Sequence, residues 1–203
     1  MTKIILIRHG VTDWNAEGKI QGQSDTQLSS EGMYQARMLI AYFPFETIDA
    51  IYSSNLQRAM KTAEFIANKF KLEVIPVREL REIDFGNWEG RSFEDVAKEE
   101  PAEFKKFFVQ PDMLMFKGGE SFAEVQSRAM LSLKKIVKLN GDKKQIVIVT
   151  HGAVIRTIIA AILEMPLRKI WSIKQYNTAV NVLNFDDGDY SIELMNSINH
   201  LQN

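Results

Sequence analysis

No cysteine occurs anywhere in the 203 residues. Disulfides, thiolate zinc sites and cysteine nucleophiles are therefore excluded, and the redox compartment leaves no mark on the sequence. An excess of one charge is also lacking. The formal net charge is −1, which gives no nucleic-acid footprint, and the short clusters Lys134-Lys135 and Lys143-Lys144 read as solvated helix face beside acids. Long apolar runs are missing too. Met1-Thr2-Lys3 leads into only four apolar residues, Ile4 to Ile7, before Arg8 interrupts them, too few for a signal peptide or a spanning helix. No membrane partner and a cytoplasmic location are the expectation. Neither G-x-x-x-x-G-K-[ST] nor G-x-G-x-x-G after a strand is present, so nucleotide triphosphatase and dehydrogenase readings lose their main support.

What is present describes an ordinary globular chain. Apolar residues make up 45% and charged residues 25%, which argues against disorder. The length suffices for one core with an insertion, and no linker divides it, so one domain over residues 1–203 is expected. Nothing in the composition sets an oligomeric state. Lys3 to Ile7, Ala50 to Tyr52, Glu73 to Val77 and Gln145 to Val149 are short Ile- and Val-rich runs with helical stretches among them. That spacing predicts an α/β fold with a largely parallel sheet and helices on both faces.

Ser29 or Ser30 is placed to cap a helix through Met33, Ala36, Arg37 and Ile40 that Pro44 stops. Ser54 is placed to cap the next, with Ala59, Ala63, Ile66 and Phe70 inward and Arg58 in its first turn. From about 84 to 119 the pattern loosens into a segment dense in aromatics, among them Trp88, Phe93, Phe104, Phe107, Phe108 and Phe116. It reads as an insertion over the sheet edge. Ser121 or Gly119 opens a helix to about Leu139 that Asn140-Gly141-Asp142 ends. The tail from Ala179 to Leu194 alternates around Asp186-Asp187-Gly188-Asp189 and reads as an edge hairpin.

The chemistry gathers where strands end. Arg8-His9-Gly10 follows the first apolar run and Thr150-His151-Gly152 the last. Two histidines leaving a sheet on separate strands can converge at its carboxyl edge, where open α/β folds bind ligands. A phosphoryl group fits such a place: its charged oxygens match the forked guanidinium donors of Arg8 and Arg58. The exposed amides of the helix carrying Arg58 also favour anions. A neutral imidazole can attack phosphorus directly, and His9 is the expected nucleophile. One carboxylic acid should protonate the leaving oxygen and later activate water. Glu82 is the best placed candidate, with Glu79, Asp84 and Glu89 as rivals that spacing does not separate. His151 would donate to a phosphoryl oxygen. His200 has no such context and is expected at the surface. A metal site is not expected, because Arg8 beside His9 would repel a divalent cation and no second histidine lies at zinc-helix spacing.

The ordered set Arg8-His9-Gly10, Thr12, Asn15, Gln21, Ser54-x-Leu56-x-Arg58-Ala59, Glu82, Gly86, Glu89-Gly90 and Thr150-His151-Gly152 resembles the histidine phosphatase superfamily, also called the phosphoglycerate mutase-like fold. The likeness spans residues 3 to about 160. It implies a three-layer α/β/α sandwich, a phosphohistidine at His9 and Glu82 as proton donor. It also implies a phosphate pocket of Arg8, Arg58, His151 and Gly152, with Asn15 and Gln21 on the phosphoryl group or its ester oxygen, and no cofactor. The mutases of the superfamily usually continue after the glutamate with an Arg/His-Tyr-Gly pattern and are somewhat longer. Here Ile83-Asp84-Phe85-Gly86-Asn87-Trp88-Glu89-Gly90 stands instead, which resembles the small phosphatase branch that includes broad-specificity acid phosphatases and α-ribazole phosphatases.

The expected activity is a metal-independent phosphomonoesterase on small phosphorylated metabolites. The alternatives are a cofactor-dependent phosphoglycerate mutase and a non-catalytic phospho-ligand binder. A mutase needs extra cationic contacts to its acid substrate, and the aromatic segment offers few. Trp88, Phe107, Phe108 and Phe116 read either as core or as an apolar wall beside the phosphate.

Overall fold

The computed structural model describes residues 1–202. The chain runs β1 (Thr2–Arg8), α1 (Asp13–Ala16), α2 (Ser30–Ala41), β2 (Ala50–Ser54), α3 (Gln57–Phe70) and β3 (Val74–Val77). It continues with α4 (Phe93–Glu99), α5 (Pro101–Val109), α6 (Phe122–Asn140), β4 (Gln145–Thr150), α7 (Gly152–Ile162), β5 (Val180–Asp186) and β6 (Asp189–Ser197). The strands form one six-stranded sheet in the order β3-β2-β4-β1-β5-β6. The first four are mutually parallel, and β5 and β6 add an antiparallel hairpin beside β1. This is the expected α/β arrangement. Among the described residues, no helix is long and apolar enough to cross a membrane.

The unbroken apolar run of β1 follows from its central place, since a parallel strand covered on both faces has no solvent side to mark with polar residues. Ile4 and Leu6 pack with Ile146, Ile148 and residues of α6 and α7. Ile5 and Ile7 face the opposite way, onto Val147, Val149, Leu39 of α2 and Ala59, Ala63 and Ile66 of α3. Ile4 to Ile7 are all fully buried, and each such side chain contributes roughly 1.5–3 kcal/mol on leaving water. The sheet centre is thus packed on both faces and forms the platform for a site.

Several boundaries resolve what spacing left open. Ser29 caps α2 by accepting from the Gly32 N–H, and Ser121 caps α6 in a reciprocal pair with Glu124. Ser54 does not cap α3. The cap position is Leu56, which has no side-chain hydrogen bond to the helix; Ser54 Oγ accepts from the Leu56 N–H at 3.3 Å and faces the histidines. His200 is not a surface residue either. It is only 5% exposed, with Nε2 3.0 Å from Thr178 Oγ1, because the last short turn folds back onto α2. Trp88, Phe107 and Phe116 join Phe85 and Phe122 in one edge-to-face aromatic cluster, whereas Phe93 and Phe108 remain exposed.

The chain leaving β1 is clamped against two helices. Gly10 N–H donates to Thr62 Oγ1 of α3, Val11 N–H to Gln35 Oε1 of α2, and Ser29 N–H to the Val11 carbonyl. So close an approach needs two residues without side chains. A Cβ on Gly10 would stand 2.7 Å from the Gly32 carbonyl oxygen, and one on Gly32 would stand 2.0 Å from that of Val11. Gly32→Ala should therefore cost about 2–4 kcal/mol, since backbone rather than a flexible side chain must yield. Urea unfolding checks this, and an unchanged midpoint would remove the clamp from the account.

Candidate active site

A cleft of about 230 Å³ opens at the carboxyl end of β1 and β4. Arg8, His9, Asn15, Gln21, Arg58, Glu82, Gly152 and Arg156 line it, together with Phe107, Phe108 and Trp171. His151 does not line the wall. It lies directly behind, fully buried, with its ring 5.1 Å from that of His9. The proximity comes from strand register: Arg8 pairs with Thr150 across β1 and β4, and His9 N–H donates to the Thr150 carbonyl.

His9 has its tautomer set by a neighbour that can only accept. Nδ1 lies 2.7 Å from the Gly10 carbonyl oxygen, so Nδ1 carries the hydrogen and Nε2 keeps its lone pair. Burial holds the imidazole pKa well below 6.5, and the charges of Arg58 and then Arg8 push it the same way. His9 is therefore a neutral base with a free Nε2. His151 is neutral too, by burial first and Arg58 second. Its Nε2 lies 2.8 Å from Ser54 Oγ, which already accepts from Leu56 N–H. The arrangement that uses all of the hydroxyl has Ser54 donating to Nε2, which puts the His151 hydrogen on Nδ1. Among the described residues, that buried Nδ1 has no partner.

The two phosphate-site candidates are fixed through their outer nitrogens. Arg58 donates from Nη1 to the Ser24 carbonyl at 2.7 Å and from Nη2 to the Gly22 carbonyl at 2.6 Å, and Arg8 donates from Nη1 to the Gln175 carbonyl at 2.6 Å. Both Nε atoms are buried and unpartnered. Burial lowers each guanidinium to about 10, so both stay charged at neutral pH. Asn15 Oδ1 accepts from Thr12 N–H, and Gln21 Oε1 accepts from the hydroxyls of Thr12 and Thr26. With their carbonyl oxygens used, these amides have their NH₂ ends left for an anion.

Of the four carboxylates that spacing left open, only Glu82 reaches the cleft. Its oxygens accept from the Ala153 N–H at 3.2 Å, in the first turn of α7, and from Ile83 N–H at 3.1 Å. Glu79 is exposed. Asp84 accepts from Gly86 N–H, and Glu89 accepts from the backbone of Gln23, Ser24 and Phe85, so both are spent on loop structure. Among the described residues, no three metal-ligating side chains gather.

The family model of the histidine phosphatase superfamily, branch 1, matches residues 4–198. The chain belongs to the histidine phosphatase superfamily. Among curated relatives, phosphoserine phosphatase 1 of Hydrogenobacter thermophilus is 35% identical over 201 residues, covering 99% of this chain and 95% of that protein. Among solved structures, Bacillus stearothermophilus YhfR aligns with a TM-score of 0.94 at 32% identity, over 99% of this chain and 100% of that one. The phosphoserine phosphatase of Entamoeba histolytica was solved as a mutant with phosphoserine and also with 3-phosphoglyceric acid. It aligns with a TM-score of 0.89 at 38% identity, over 99% and 100% of the two chains.

Several supporting residues of this histidine phosphatase escaped the sequence reading. Arg128 of α6 makes a two-pronged pair with Glu120 and donates to the carbonyls of Glu79, Arg81 and Glu82, so it holds the loop that presents Glu82. Asn177 Nδ2 and Thr178 N–H both donate to the His9 carbonyl. Thr178 adopts φ +55° to do so, a conformation costly for a β-branched residue. No sequence motif announces these ties. Arg156 did leave a signal, as the one charge in the otherwise uncharged helix α7.

All three histidines have pKa values below 6.5, chiefly through burial. The unfolded chain then binds protons that the folded chain refuses. Stability is full above about pH 6.5 and falls as pH drops below it, by up to about 1.4 kcal/mol per pH unit for each histidine. Unfolding between pH 6.5 and 5 in phosphate-free buffer should show this slope, and His9→Gln should reduce it. A flat profile, or an unchanged slope in the variant, would contradict the buried neutral imidazoles.

Proposed function

We propose that this chain is a metal-independent phosphomonoesterase whose reaction passes through a phosphohistidine at His9. One observation carries the reading: the Gly10 carbonyl holds the His9 hydrogen on Nδ1, leaving a neutral Nε2 in a cleft with two unpaired guanidinium edges and Glu82. The ester phosphoryl group sits on Arg8 and Arg58, with the Asn15 and Gln21 amides and the Gly152 end of α7 around it. Nε2 attacks phosphorus, the Nε2–P bond forms and the P–O ester bond breaks. Glu82 in its acid form delivers the proton to the leaving oxygen. Water then attacks the phosphohistidine, Glu82 takes its proton, and free phosphate leaves with His9 neutral again. His151 donates from Nδ1 to an oxygen whose charge grows in each transition state.

The substrates are small phosphate monoesters, in keeping with a cleft of about 230 Å³. Phosphoserine is the first to try, since two of the three relatives above are named for it.

His9→Ala should lose phosphate release by at least about 10⁴-fold, and wild type quenched in alkaline detergent, where the N–P bond survives, should carry label from the ester on His9. Glu82→Gln should lose about 10²–10⁴-fold on phosphoserine and distinctly less on an aryl phosphate, whose leaving group needs no proton. Turnover that survives in His9→Ala would end the covalent mechanism. A wild type that releases no phosphate, yet isomerises 3-phosphoglycerate once bisphosphoglycerate is added, would be a mutase; binding with neither outcome would mark a non-catalytic phospho-ligand binder.

A further inference from the structure

Arg156 is a cation without a salt-bridge partner among the described residues. It lies one turn into α7, where burial lowers its pKa and only the charge of Glu82 opposes that shift. Among the described residues, its one protein hydrogen bond runs from Nε to the Ile173 carbonyl at 2.8 Å. The guanidinium stacks on Trp171, 5.3 Å from the ring centre. Tether and stack together fix its plane and leave the Nη1 and Nη2 end as the functional edge. That edge belongs to the cleft wall. A Cβ on Gly152 would stand 2.9 Å from Arg156 Nη1 and 3.4 Å from Arg8 Nε, so the two guanidiniums flank this residue closely on the cleft wall.

The cleft therefore holds three guanidiniums and one carboxylate, Glu82. A desolvated, preoriented and unpaired arginine beside two others is an unfavourable arrangement unless a ligand supplies negative charge. Arg8 and Arg58, with their buried unpartnered Nε atoms, account for the phosphoryl oxygens. Arg156 is left over at the aromatic end of the cleft, beside Trp171.

We infer that Arg156 is a specificity residue that binds a carboxylate carried by the substrate alongside its phosphoryl group, so that carboxylate-bearing phosphate monoesters are the preferred class. The inference rests on the phosphomonoesterase reading above. A carboxylate fits better than a second phosphoryl group. The free end of one guanidinium offers two parallel N–H donors, the match for two coplanar carboxylate oxygens, whereas a second dianion would call for another free cation. Lys19, the only other cation lining the cleft, is paired with Glu17 at 2.7 Å.

The test compares 3-phosphoglycerate with glycerol 3-phosphate, which differ in having a carboxylate or a hydroxymethyl group at the same carbon. Wild type should favour 3-phosphoglycerate at least tenfold in kcat/KM. In Arg156→Met, which keeps an unbranched stem against Trp171, that preference should fall at least tenfold, mainly through KM for the carboxylate ester. Arg156→Lys should recover part of it. Equal losses on both esters would place Arg156 on the phosphoryl group, an unchanged preference would reduce it to a packing residue, and a larger loss on 2,3-bisphosphoglycerate than on 3-phosphoglycerate would assign it to a second phosphate. Any of the three overturns the inference. If wild type releases phosphate from neither ester nor from phosphoserine, the phosphomonoesterase reading fails separately. Calorimetric titration of His9→Ala, with and without Arg156→Met, then applies the same tenfold criterion to binding alone.

Discussion

Six register pairs between β1 and β4, from Lys3 opposite Gln145 to Arg8 opposite Thr150, bring residues more than 140 positions apart to the same level of one sheet. Everything at the site depends on that pairing. The strands end together, so the residues that follow, His9 and His151, leave the sheet side by side with rings 5.1 Å apart. A slip of one residue would turn Arg8 to the opposite face and send Ile4 and Leu6 into the wrong core. Such a slip is prevented by the burial of β1 on both faces, where each side chain has a filled partner position. The strongest packing in the molecule thus specifies its most delicate geometry.

A second constraint is electrostatic. Arg8, Arg58 and Arg156 share one small cleft with Glu82, and the two imidazoles stay neutral through burial first and the charges of Arg58 and Arg8 after it. Positive charge that suppresses protonation of His9 is what a nitrogen nucleophile needs, because only the unprotonated form attacks. The same charge compensates the anion being attacked. In the proposed reaction the arginines therefore act twice, before the substrate arrives and after. Arg58 is prevented from folding onto Glu82 by the Gly22 and Ser24 carbonyls, which hold its outer nitrogens.

The parts of this arrangement written in the sequence are those with local signatures. The apolar runs of β1 and β4, the His-Gly junctions and Arg58 in a first helical turn were all readable, because strand ends and helix starts are marked by short-range chemistry. Glu82 could not be separated from Glu79, Asp84 and Glu89 by spacing, since the choice depends on which carboxylate the folded chain brings to the cleft at the ends of β1 and β4, and that is a tertiary property. Ser54 read as a cap because serine ahead of a helix usually is one; its distance from His151, 97 residues on, was invisible. His200 read as surface for the same reason, as its partner Thr178 is fixed by contacts to the β1 exit and not by its neighbours. Arg128 left no mark at all.

The aromatic segment divides between the two roles open to it. Trp88 and Phe116 are core and do not reach the cleft, while Phe107 serves both, being nearly buried yet part of the cleft wall beside exposed Phe108. Its larger effect on the site is indirect. The Phe107 carbonyl accepts from Trp171 Nε1 at 2.5 Å, and the Phe107 ring packs 4.6 Å from that of Trp171. Trp171 in turn carries the guanidinium of Arg156 on its face. The segment itself has few cations to offer an acidic substrate. Arg156 stands instead on α7, held in plane by an indole that the segment positions. The same segment also reaches Arg58: Glu89 accepts from the Gln23 and Ser24 N–H groups, and the Ser24 carbonyl holds an outer nitrogen of Arg58, so residues 84 to 119 support both ends of the charged cleft.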